Sequence, residues 1–169
     1  MPFYGFSRPS ADYFNSNLLL QNLIQCDIST GKNHVYLYDE REQGKGGDAL
    51  CSLRLRQHLR LYAKRLRDGV EARICATLMD NCVGQNKSQV LMKFYALISV
   101  LFFPTVTAFY FIPGHSHMIC DRVVSWNRRK MRGKNLFLPV SIAEVLNETS
   151  SVEAEVLKGT DSDFPFRVG

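Results

Sequence analysis

The chain has no CxxC pair, no internal repeat, no low-complexity segment and no clear linker, and it contains a single tryptophan. Its five cysteines, Cys26, Cys51, Cys75, Cys82 and Cys120, are scattered and odd in number. That argues against a disulfide framework, and the thiols are read as reduced, in a cytosol or nucleus. The first residues, Met1 to Pro9, lack the charged-then-apolar pattern of a signal peptide, so secretion is not expected. The GxxxxGK[ST] spacing of a P-loop is missing. No Ser-His-Asp or Cys-His order is legible enough to support nucleophilic catalysis, with Cys82 and His115 the remaining candidates for it.

What is present is the profile of a globular protein. The 169 residues suit one domain with a single sizeable core, 46% are apolar and 22% charged. The net charge is +5, with basic residues gathered at Arg54 to Arg67 and Arg128 to Lys134, which favours a polyanionic partner. The run from Val90 to Ile112 is long enough to cross a bilayer and carries Lys93 as its only charge. Pro104 breaks it: helix formers such as Leu91, Met92, Ala96 and Leu97 come before, and alternating β-branched and aromatic residues after. A buried helix followed by a buried strand fits that change, and no membrane span is expected.

The expected order is β-β-α-β-α-β-α. Asn17 to Ile28 reads as a strand, Asp27 to Asn33 as a turn and His34 to Tyr38 as its hairpin partner. Asp48 is the expected cap of a helix running to Arg67 and stopped by Gly69. On it Leu50, Leu53, Leu59, Tyr62 and Leu66 form the apolar face, and Arg54, Arg56, Arg60, Lys64 and Arg67 a solvated basic one. Strand 73–79, helix 86–103 begun by Asn86, strand 105–112, a helix from 116 to 131 and a short helix at 139–147 follow. Strand 152–157 is an added edge. The pattern indicates an α/β layered domain with a mixed sheet, in which strands 18–28, 34–38, 73–79 and 105–112 join.

Two stretches concentrate reactive side chains directly after strand-like runs: Asp80-Asn81-Cys82-Val83-Gly84-Gln85-Asn86-Lys87 and Gly114-His115-Ser116-His117-Met118-Ile119-Cys120-Asp121-Arg122. Open α/β folds build sites at strand ends. Asp27, Asp80 and Asp121 would repel one another if brought together unless a cation neutralised them. Mg²⁺ suits such a set because it takes oxygen ligands, and two such ions about 4 Å apart can clamp the attacking and leaving oxygens of a phosphoryl transfer. The ordinary readings stand beside this one: Asp80 as a turn residue, Asp121 as a surface neighbour of Arg122. Gly84 to Ser88 opens a helix whose backbone N–H groups, with Lys87, could hold a phosphate, or serves as its cap. His115, His117 and Cys120 have zinc-like spacing without a second paired half-site. Trp126 among Arg128, Arg129, Lys130 and Arg132 suits single-stranded nucleic acid, although a lone tryptophan is more often core.

Asp80-Asn81-Cys82-x-Gly84-Gln85-Asn86-Lys87 followed by Gly114-His115-Ser116 and Cys120-Asp121-Arg122 resembles a large family of eukaryotic transposon-derived proteins with an RNase H-like core, as in DDE-type transposases and integrases. A looser likeness upstream, in Asn22 to Asp27, Thr30 to Lys32, Tyr38 to Glu40 and Gly46-Gly47, extends it. The resemblance implies an RNase H-like, three-layer α/β domain over residues 10–147, with a mixed sheet and helices on both faces, and a C-terminal extension over 148–169. It implies Asp27, Asp80 and Asp121 as metal ligands for Mg²⁺ or Mn²⁺. His115, after the Pro113-Gly114 turn, sits where a base or phosphate contact would serve such a transfer and is the further catalytic candidate, with a capping or core histidine as the alternative. Asn81, Gln85, Asn86, Lys87 and Arg122 are then the substrate-binding candidates. The activity implied is metal-dependent cleavage or strand transfer of DNA phosphodiesters, with RNA a further candidate substrate, in the nucleus or cytoplasm. Its rivals are a catalytically inactive nucleic-acid-binding or protein-interaction module and, more distantly, a zinc-stabilised structural domain.

Overall fold

The structure, a computed structural model, describes residues 19–82, 86–112, 118–160 and 162–166. It divides into two compact units, the first from residues 1–44 and 117–159 and the second from 45–116 and 160–169. Each has its own apolar core, where the length of the chain suggested one.

In the first unit β1 (Leu20–Asp27) and β2 (Lys32–Asp39) pair antiparallel, with Leu20 opposite Asp39 and Asp27 opposite Lys32. The turn between them needs Gly31, whose φ of 71° is left-handed and whose N–H donates to the Asp27 carbonyl at 2.8 Å. The other edge of β2 is taken by β5 (Val152–Val156), which runs parallel to it from Asn33 opposite Val152 to Leu37 opposite Val156. β2 is therefore the central strand and is buried from Asn33 to Tyr38. Helices α3 (Ile119–Met131) and α4 (Pro139–Asn147) complete the unit, and Val123, Ile142 and Leu146 meet Val35, Leu37 and Val152 in its core. Pro139 sits in the first turn of α4, where its missing N–H costs nothing. The Asn147 side chain fastens the end of that helix to β5, donating to the Ala154 carbonyl at 2.9 Å and accepting from the Ala154 N–H at 2.7 Å.

The second unit opens with α1 (Gly47–Asp68) and continues as β3 (Ile74–Met79), α2 (Gln89–Leu101) and β4 (Thr105–Tyr110). β3 and β4 pair in parallel from Ile74 opposite Thr105 to Met79 opposite Tyr110, with α2 as the crossover. Cys51, Met79, Leu91, Phe94, Tyr95 and Ile98 form the core. Gly69 ends α1 with a φ of 66°, as expected. Two caps differ from expectation. Asp48 lies within the first turn of α1, after Gly46 as N-cap, and α2 is capped not by Asn86 but by Ser88, whose Oγ accepts from the Leu91 N–H at 3.3 Å. The apolar run 90–112 is broken at Phe102 to Pro104, and no described helix is long and apolar enough to cross a membrane.

The chain is thus α/β with a mixed sheet, but the four strands expected to share one sheet lie in two, a three-stranded sheet ordered β1-β2-β5 and a two-stranded one. The second edge of β2 is occupied by a strand more than a hundred residues further along, while β3 and β4 satisfy each other through their crossover. The apolar face expected along all of α1 is also only half realised. Ala49, Cys51, Ser52, Leu53 and Gln57 are buried, whereas Leu59, Tyr62 and Leu66 are exposed.

Candidate functional site

Asp27 closes β1 and organises the turn after it. Its Oδ1 accepts from the Ser29 N–H at 2.9 Å, the Ser29 hydroxyl at 2.6 Å and the Thr30 N–H at 3.3 Å. Partial burial pushes the carboxyl upward, but the hydrogen bonds from Ser29 and Thr30 outweigh it and hold the group below the usual carboxylate range. Asp27 also lines a cavity of about 200 Å³ with Cys26, Asn33, Ile119, Trp126 and Ser151. The hairpin turn read from the sequence is therefore also what lowers the pKa of this carboxylate.

Asp80 stands in the second unit, exposed, in the loop that leaves β3. Its Oδ1 accepts a short hydrogen bond from the amide of buried Asn86, whose own N–H donates to the Cys82 carbonyl at 2.8 Å. The Tyr110 hydroxyl at the end of β4 donates to the Asn86 carbonyl at 3.0 Å. Asn86 therefore ties the two strand ends together instead of starting a helix. Lys87 places its ammonium 5.1 Å from the centre of the Tyr110 ring, a cation–π contact at the same corner. Asn81 has a buried Oδ1 with no hydrogen-bond partner among the described residues.

Asp121 lies in the first turn of α3, where its Oδ2 accepts from the Met118 N–H at 2.8 Å, so it caps the helix. Neither it nor the next residue, Arg122, is buried. Directly before it, Cys120 reaches back to β1: its sulfur is 3.2 Å from that of Cys26. The hydrogen bond shared by the two sulfurs, with burial added, raises the Cys26 thiol, and the same bond lowers Cys120 to about 7 against the effect of burial. The first unit therefore brings the Cys26-Asp27 strand end and the Cys120-Asp121 helix start onto adjacent elements. The sequence reading missed this pairing, although the repeated Cys-Asp dipeptide was its visible signal.

Gln85, His115 and His117 lie outside the described residues. Among the described residues no three His, Cys, Asp and Glu side chains are gathered as a metal-holding group. Trp126, 37% exposed, is a rim residue of the cavity beside β1 and not the core residue that a lone tryptophan more often is. Of the basic residues of α1, Arg60, Lys64 and Arg67 are exposed as expected, whereas Arg54 and Arg56 are partly buried. Arg54 donates to the Tyr95 hydroxyl, Arg56 pairs with Asp163 at 2.7 Å, and Arg65 lies 4.7 Å from the centre of the Phe103 ring.

Fold and site together define a two-unit α/β protein that presents hydrogen-bonded carboxylates at strand and helix ends. A family model described as Domain of unknown function (DUF7869) matches residues 14–162, and the chain belongs to that family. No curated protein and no solved structure matches it.

Proposed function

We propose that this protein is a mobile-element-derived domain of the RNase H-like, three-layer type that cuts or transfers DNA phosphodiesters, with Asp27, Asp80 and Asp121 as ligands for Mg²⁺ or Mn²⁺. One observation carries the reading. Each of the three carboxylates is fixed through a single oxygen, Asp27 by its turn, Asp80 by Asn86 and Asp121 by the Met118 N–H, and among the described residues the other oxygen accepts no hydrogen bond. An oriented carboxylate with one oxygen to spare is what a hard cation uses, since ligating carboxylates are themselves held by hydrogen bonds. Mg²⁺ is commonly bound through one or two carboxylates and completed by substrate phosphate and water, so a preformed group of three is not required before substrate arrives.

Such an ion, when bound, polarises a phosphoryl oxygen and lowers the pKa of bound water. The chain supplies the rest. Ser29 and Thr30 hold the Asp27 carboxylate by hydrogen bonds, Asn86 orients Asp80, Lys87 and Arg122 are assigned as cations for substrate phosphates, and Asn81 and Gln85 as further substrate contacts. His115 is assigned to positioning or neutralising the reacting phosphate. DNA is the proposed substrate and RNA a second candidate, in the nucleus or cytoplasm.

The test is nicking of supercoiled plasmid by the full chain in Mn²⁺. The expected result is cleavage that Asp27→Asn and Asp121→Asn each reduce at least a hundredfold while leaving DNA affinity within a factor of about three.

A second reading, an inactive nucleic-acid-binding module, is favoured by the surface of α3, where Arg122, Arg128, Arg129 and Lys130 are exposed around Trp126. Binding would then fall steeply with salt as phosphate contacts release counterions, and plasmid would remain uncut in every metal. Binding that is undetectable even at low ionic strength would contradict both readings.

A further inference from the structure

We infer that Cys26 and Cys120 are a reversible thiol–disulfide pair that, on oxidation, staples the end of β1 to the first turn of α3 and so regulates the Asp27 and Asp121 half of the proposed site. The regulatory meaning rests on the function proposed above; the pair itself does not.

The geometry is specific. The two sulfurs come from residues 94 apart in sequence and stand 3.2 Å from each other, closer than ordinary sulfur contact, with no covalent bond between them. They are held there by packing, because Ile119, Ile24 and Cys26 lie against the apolar core that joins α3 to the sheet. Cys120 is further placed by the Ile24 carbonyl, 3.7 Å from its sulfur. Both cysteines are only half-buried, and the cavity of about 200 Å³ beside β1 reaches Cys26, so a small oxidant has a path to the pair. The other three cysteines belong to the second unit, where Cys51 is buried in the core and Cys75 lies against the Thr77 hydroxyl at 3.8 Å. Among the described residues, no second pair of cysteine sulfurs is in contact.

The oxidant required is a hydroperoxide, and hydrogen peroxide serves as the probe. One sulfur attacks a peroxide oxygen, the O–O bond breaks, and the thiol proton leaves with the departing oxygen as water, giving a sulfenic acid. The second sulfur attacks the sulfenic sulfur, an S–S bond forms, the S–O bond breaks, and hydroxide leaves as water with the second thiol proton. Two thiols lose two electrons and two protons, and one peroxide becomes two waters. In a reducing compartment such a bridge is transient and serves sensing rather than architecture. Its place is apt for that, since Asp27 and Asp121 directly follow the two cysteines, and closing the bridge changes the relation of the turn that holds one to the helix end that holds the other.

The experiment uses the full reduced chain, treated with stoichiometric hydrogen peroxide and then alkylated. The expected product has lost two hydrogens and maps to a Cys26–Cys120 cross-link, reversed by dithiothreitol, absent in Cys26→Ser and Cys120→Ser and retained in Cys75→Ser. Oxidation of the cysteines singly to sulfinic acid, cross-links among Cys51, Cys75 and Cys82, or no reaction would overturn the proposal. So would stoichiometric Zn²⁺ that shields both thiols from alkylation in the protein as purified. The melting shift with Mn²⁺, measured in reduced and oxidised protein, separates the two readings. A cross-link whose formation changes that shift at least twofold supports the regulatory pair. A cross-link that leaves a clear shift unchanged overturns the regulation, and no shift in either form removes the carboxylate reading while the thiol pair stands.

Discussion

The two parallel strand pairs of this protein are built on opposite terms. In the first unit β2, paired on both edges, is buried along nearly its whole length, with Tyr36 and Leu37 out of contact with water. In the second unit β3 and β4 lie in strand-like apolar runs, the later of them read as a buried strand, yet each shows one face to solvent: Ile74 is 67% and Phe109 53% exposed. An unbroken apolar run therefore does not guarantee a strand covered on both faces. Burial follows from which strands and helices reach an element, and β5 and α4 reach β2 from the far end of the chain.

The contrast breaks most easily in the core. Leu37→Ala should cost about 2–5 kcal/mol, because it leaves a cavity that packed neighbours cannot fill. Leu78→Ala, on the exposed face of β3, should cost less than about 1 kcal/mol. Urea denaturation of the two variants measures both, and equal losses would mean that β3 is covered as β2 is.

Acid separates the units by mechanism. His58 in α1 lies among the rings of Phe94, Phe102 and Phe103, and burial, with Arg54 and Arg65 nearby, lowers its pKa from 6.5 to about 4. Below pH 6.5 the unfolded chain takes up a proton that the folded chain refuses, so stability falls as pH drops from 6.5 toward 4 and levels off beneath. The full loss is about 3 kcal/mol. Asp27 acts in the same sense but lower. Its carboxyl is held below the ordinary 3.8, so its contribution is present above that value and is lost only as pH falls through the folded pKa. Urea midpoints at pH 7 and 4.5 should differ markedly in the wild type and little in His58→Leu, with Asp27→Asn leaving that interval unchanged.

The smallest effect sharpens the comparison of caps. Ser88→Ala removes the side-chain acceptor of α2 and should cost about 1 kcal/mol, while Asp121→Ala at the start of α3 should cost a similar amount. Thermal unfolding of each variant provides the check.

The sequence made legible what is local. Gly31 and the Asp27 turn announced the hairpin, Gly69 the end of α1, and Pro104 the switch from helix to strand. Pairings set by distant packing were not legible. Nothing near Val152 shows that it will lie parallel to β2, and alternation cannot say that Leu59 and Leu66 stay exposed while Tyr62 meets the Phe102 ring, 5.3 Å away. At the site, the carboxylates stood out because each follows or ends a strand-like run. Their anchoring by Ser29, Asn86 and the Met118 N–H, and the meeting of Cys26 with Cys120, depend on backbone geometry that spacing alone does not carry.

The central claim is that the anchored carboxylates bind a hard divalent cation, and calorimetric melting of the full chain with and without Mg²⁺ or Mn²⁺ tests it most directly. At a hundred times the dissociation constant, binding to the folded state alone adds about 2.7 kcal/mol, a rise of several degrees that Asp27→Asn should largely abolish. An unchanged transition in the intact protein at saturating Mg²⁺ and Mn²⁺ would contradict it.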